Sequence, residues 1–207
     1  MEPVQTASIA ISWLDVGKIV LGSGVVAGIV GWIKDSWNKR SDRRREAKYA
    51  AIEALAMLDL YVLESRKNVR RYYEDSAGLT PEAHYQMWPS CSYPDFLFPQ
   101  ETLKRLSAED ACRISWLSTE KEVAHQYLAA IHEDELDPTR VEGHQAKMVG
   151  YFGYEAFLLS KSMRARYRLS SMPRAMNADD HFDDLFSYWL STKSEFEKRS
   201  ELLRREG

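Results

Sequence analysis

The sequence predicts an all-α protein, with a single N-terminal transmembrane helix followed by an antiparallel four-helix bundle. Three observations carry this reading. An apolar, glycine-rich run before residue 34 gives way abruptly to Lys and Arg; apolar residues from there to the C-terminus recur at helical rather than strand spacing; and clusters of Pro, Asn and Asp divide them into four segments.

The first element is the anchor, residues 13–33, preceded by a short extracytoplasmic segment, residues 1–12. The uninterrupted run Ile19 to Ile33 would reach only about 22 Å as a helix, less than a ~30 Å hydrocarbon core. Extended back to Trp13, it places Trp13 and Trp32 about 28 Å apart, the separation of two interfacial aromatic belts. Glu2 near the start and a basic, Trp-containing exit differ from a cleaved export signal. Residues 34–48 form a basic neck, with Lys34, Lys39, Arg40, Arg43, Arg44, Arg45 and Lys48 against Asp35, Asp42 and Glu46. The positive-inside bias then expects a bacterial inner-membrane protein, N-terminus outside and residues 49–207 in the cytoplasm.

Two features of the anchor bear on assembly. Gly24 and Gly28 form a GxxxG pair, and Ala27 and Gly31 a second small-xxx-small pair, which predicts self-association into a homo-oligomer by close helix packing. Asp15 and Lys18, one turn apart, read as a neutralised pair at the outer interface or as the lining of a polar pathway between several anchors.

Four helices follow. The first runs from about 36 to 75 with Ala47, Ala51, Ala54, Leu58, Tyr61, Val62 and Val69 on one face. Leu103, Leu106, Ile114, Leu117, Ala124, Leu128 and Ile131 mark the second; Val141, Met148, Phe152, Leu159 and Met163 the third, opened by Asp137 as N-cap and Pro138 at the first helical position. Phe182, Phe186, Trp189, Phe196 and Leu203 mark the fourth, after a break at Pro173. Residues 76–100 are a long Pro- and aromatic-rich connection. Trp88, Tyr93, Phe96 and Phe98 are costly to leave in water, so this loop is expected to pack as a lid on the core, with partner recognition as the alternative.

Residues 49–207 hold 20 Lys and Arg against 26 Asp and Glu, a mildly acidic balance that indicates no general nucleic-acid affinity. Antiparallel topology nevertheless predicts one basic end. If the first and third helices rise side by side, Arg66, Lys67, Arg70 and Arg71 meet Lys161, Arg164, Arg166 and Arg168, a patch able to hold RNA, a nucleotide or an acidic protein partner. Basic residues also suit helix C-terminal turns for dipole reasons alone. The acidic run at 132–137 is expected to face the basic neck.

Catalytic signatures are sparse. Cys91 and Cys112 lack metal-type spacing and read as free thiols; Glu122 and His125 form one Glu-x-x-His with no second copy, which argues against a di-iron bundle, and no metal or other cofactor is implied. Arg174 and His181 have the spacing R-x6-H, which resembles the R-x4-6-H motif of HEPN-type ribonucleases. That resemblance implies an Arg stabilising phosphoryl charge and a His exchanging a proton. The layout of anchor, basic neck and helical bundle is similar to membrane-bound, HEPN-like accessory proteins of RNA-targeting CRISPR systems, which implies an oligomeric antiviral effector. The leading expectation is a non-enzymatic, self-associating membrane effector or accessory protein with a partner-binding bundle, able to form a pore. The alternatives are a membrane-tethered HEPN-like ribonuclease and a non-catalytic membrane scaffold.

Overall fold

The computed structural model describes residues 25–80, 85–133, 137–170 and 182–206. They form α1 (Val25–Ser76), a 3-10 turn (Tyr85–Met87), α2 (Gln100–Arg105), α3 (Ala108–Ile131), α4 (Pro138–Tyr167) and α5 (Asp183–Glu206), with no strand among the described residues. Two compact units divide the chain, Met1–Glu46 and Ala47–Gly207.

In the first unit the expected transmembrane helix is corrected. No helix among the described residues is long and apolar enough to cross a membrane. Within them, Val25 to Ile33 give about 13 Å of apolar helix before the charges Lys34 and Asp35, and α1 then continues through Lys39, Arg40 and Arg43 to Arg45. Trp32 and Trp37 are exposed. Ala27, Gly28 and Gly31 lie on α1, whereas residues 13–24 of the expected anchor, with Asp15, Lys18 and Gly24, lie outside the described residues.

The second unit is built around α4. Burial follows the helical period: Ala51, Ala54, Leu58, Tyr61, Val62 and Val69 of α1 face Val149, Phe152, Ala156, Leu159 and Met163 of α4, with Ile114, Leu117, Ala124 and Leu128 of α3, Phe182 just before α5 and Leu185 of α5 completing the core. Burying a side chain of this size is worth roughly 1.5–3 kcal/mol, so this face dominates the fold. Local signals set the ends. The predicted second helix is two helices, because Leu106 is extended and the Ser107 side chain accepts from the Asp110 N–H to start α3 afresh. Asp137 accepts from the Thr139 N–H and Pro138 opens α4; Arg168 closes it in the left-handed conformation at φ 52°.

Helix directions differ from the expected antiparallel order, which is a second correction. Along α1, Asp59 meets Ser160 and Arg164, Ser65 lies against Gly153, and Tyr72 lies near Gly143, so α4 runs opposite to α1. Glu109 pairs with Arg166 and Arg113 with Ser162, so α4 also opposes α3. Phe157 meets Phe182, Gly153 meets Leu185 and Gly150 meets Tyr188, so it opposes α5 too. Thus α1, α3 and α5 are mutually parallel around a reversed α4.

The connection after α1 makes this possible. It runs back down α1 as an extended strap: Asn68 donates to the Ser92 carbonyl at 2.9 Å, Phe96 packs edge-on against Tyr61 at 4.7 Å, and Thr102 of α2 donates to Glu53 at 2.8 Å. From α4, Glu142 accepts the Cys91 N–H at 3.0 Å and Gln145 donates to the Cys91 carbonyl at 2.8 Å. Proline-rich chain has no helical partner for these groups, so side chains of two helices satisfy them instead. The strap occupies the return path that a helix would otherwise take.

Candidate partner-binding groove

Since α3 and α5 both lean on α4, a groove opens between them with α4 as its floor. Its larger cavity, about 400 Å³, is lined by Trp116, Thr119, Glu120, Val123, Ala124 and Tyr127 of α3, Met148, Tyr151 and Phe152 of α4, and Phe196 of α5. A smaller one, about 220 Å³, shares Tyr127, Met148 and Phe196 and adds Leu128, His144, Lys147, Thr192 and Glu195. The walls are apolar yet open to solvent: Trp116 is 57% and Val123 60% exposed. The predicted stripe of α5 is only partly buried, because Leu185 and Thr192 turn inward while Phe186 and Phe196 stay exposed.

Charge is arranged unevenly along this groove. Burial, and then the Glu155 carboxylate, hold the Glu120 carboxyl above the usual carboxylate range. Tyr151, whose ring meets Phe196 edge-on at 5.7 Å, has its phenol pushed up to about 12 by burial first and by Glu155 and Glu120 after it. Glu155 itself accepts the Trp189 indole N–H at 2.7 Å. At the other end the rings of His132 and His144 share a hydrogen bond, Nε2 to Nδ1, 2.9 Å. Burial first, then His132 and Lys147, lower the pKa of His144.

The chain matches no family model, no curated protein and no solved structure. The site therefore rests on geometry.

The predicted basic patch is brought together only in part. Arg66, Lys67, Arg70 and Arg71 flank a cavity of about 470 Å³ on α1 with Leu63 and Glu74. Within it Arg66 pairs with Asp184 at 2.9 Å, Arg70 with Glu74 at 2.8 Å and Arg71 with Asp75 at 3.4 Å. The α4 half lies elsewhere, since α4 runs the other way. Arg164 is held between α1 and α4 by Asp59, Arg166 joins Glu109 and Asp110, and Lys161 and Arg168 are exposed toward the end of α4. These pairs neutralise most of the cluster within the chain. Arg174 and His181 lie outside the described residues.

Among the described residues no three His, Cys, Asp or Glu side chains converge as metal ligands. Glu122 and His125 are exposed, and the His125 ring packs edge-on to Tyr93 at 5.8 Å. Sequence reasoning missed the groove. Its signal was present in Trp116 and Val123, two bulky apolar residues of α3 off the predicted core stripe.

Proposed function

We propose that this chain is a non-catalytic helical accessory protein that binds an amphipathic helix of a partner protein in the groove between α3 and α5. The observation that carries the proposal is the pair of joined cavities, about 220 and 400 Å³, over a floor of Met148 and Tyr151 with Trp116, Val123 and Phe196 left exposed along it. Contiguous exposed apolar surface of this kind is costly for a chain acting alone, and a helix laid in a groove is a recurrent way to cover it.

Self-association belongs to the same reading. Tyr49, Ile52 and Leu60 stand exposed on α1 at i, i+3 and i+11, opposite its buried face. A photo-crosslinker at Val123 should give a discrete adduct with a partner, and one at Glu64, exposed on α1, should not. Adducts of equal yield at both positions would overturn the groove as the docking site.

A further inference from the structure

We propose that the larger cavity of the groove is a socket for one basic side chain, Lys or Arg, presented by the partner's helix. The inference rests on the groove being the docking site proposed above.

The lining supplies what an organic cation needs and nothing that repels it. Trp116, Tyr127, Tyr151 and Phe196 offer aromatic surface, and Glu120 is the single charged side chain among the lining residues. Aromatic faces attract Arg and Lys, while the apolar walls suit the methylene stem behind the charged head. The neighbouring bases of this chain are engaged elsewhere: Lys121 lies over Tyr93 at 5.9 Å, Lys193 over Trp189 at 4.5 Å, and Lys147 faces Glu195 at 3.9 Å.

Glu120 lines this cavity, and the Glu155 carboxylate, held by the Trp189 indole N–H, adds like charge to it. A neutral plug would bury Glu120 further with no countercharge, and an acidic one would add to the repulsion. A guanidinium or ammonium relieves both. The cavity thus selects the partner's charge as well as its shape, as complementary interfaces do.

The test uses the full chain and three fluorescent amphipathic helical peptides of about 18 residues, identical except for Arg, Gln or Glu at the centre of the apolar face. Anisotropy titration should rank them Arg, Gln, Glu, with the Arg peptide about tenfold tighter than the Gln peptide and its advantage shrinking as salt is added. Glu120→Gln should bring the Arg peptide to the level of the Gln peptide and leave the latter unchanged. Glu120 is exposed on α3, so this variant should keep the fold. Equal binding of the Arg and Gln peptides, or an Arg preference that survives Glu120→Gln, overturns the socket while the docking groove stands. Failure of all three peptides, or binding indifferent to Val123→Glu, overturns the groove and the socket with it.

Discussion

Arg164 and Asp59 face each other across the α1–α4 interface in a two-pronged ion pair: one guanidinium nitrogen lies 2.5 Å from Oδ2 and the other 3.2 Å from Oδ1. The Ser160 hydroxyl donates to the same Oδ1 at 2.7 Å. Their side chains are only 16% and 21% exposed, so the pair is a structural clamp joining the end of α4 to the middle of α1. Removing one partner leaves the other charge poorly solvated. Arg164→Met should cost about 3 kcal/mol in urea unfolding, whereas Arg168→Glu, at the exposed helix end, should stay within about 0.5 kcal/mol. Equal effects of the two substitutions would show that the clamp does not hold the helices together.

Close approach of helices is predicted at Gly150 and Gly153. A Cβ on Gly150 would stand 2.8 Å from the Tyr188 side chain, and one on Gly153 would stand 2.7 Å from the Cβ of Ser65. Ala normally stabilises a helix interior by about 1 kcal/mol over Gly. Here each Gly→Ala change should instead destabilise by about 1–3 kcal/mol, because α5 or α1 must move away. Gly143 is the control. A Cβ there meets only the Tyr72 hydroxyl at 3.7 Å, so Gly143→Ala should be neutral or stabilising. Thermal melts of the three variants check the sign of each change.

Acidification should loosen the end of the groove near His144. Its pKa is lowered from the ordinary 6.5 by burial, then by His132, Lys147 and Arg140, with only Glu195 acting to raise it. The fold therefore favours neutral His144. Its contribution to stability is fully present above pH 6.5 and is lost as pH falls through the lowered folded value. A His144→Gln variant should show a flatter dependence of unfolding midpoint on pH across that window. An unaltered pH profile would remove His144 as its source.

Thiol chemistry should distinguish the two cysteines. Cys91 is a buried residue of the strap, and burial first, then Glu142, push its thiol up to about 12, whereas Cys112 is exposed on α3. A maleimide at neutral pH should label one site in the native chain and two after denaturation, because the thiolate is the reacting form. Native labelling of Cys91 at a comparable rate would mean that the strap opens freely.

The sequence by itself determined what depends on short separations along the chain. The apolar period placed Ala51, Ala54, Leu58, Tyr61, Val62 and Val69 on one buried face, and Asp137 with Pro138 marked the start of α4, because periodicity and capping act over a few residues. It also marked Phe96 as a residue that would pack rather than stay in water. The expected membrane span was not met, since among the described residues the apolar run Val25 to Ile33 continues without a break into the charged helix from Lys34 to Arg45, and no helix there is long and apolar enough to cross a membrane.

Only the tertiary structure decided helix direction, and with it the site. Counting four helices assumed that each connection merely turns the chain, but the strap through Cys91, Ser92 and Phe96 travels back along α1 and leaves α3 parallel to it. Reversing α4 against α1 carried Arg164 to Asp59 and Arg66 to Asp184, dispersing the basic cluster into ion pairs. The same reversal set α3 and α5 on either side of α4 and opened the groove that Trp116, Glu120 and Phe196 line. A helical period specifies which face is buried, whereas the neighbour that buries it depends on the path of a connection whose prolines and side-chain hydrogen bonds have no periodic signature.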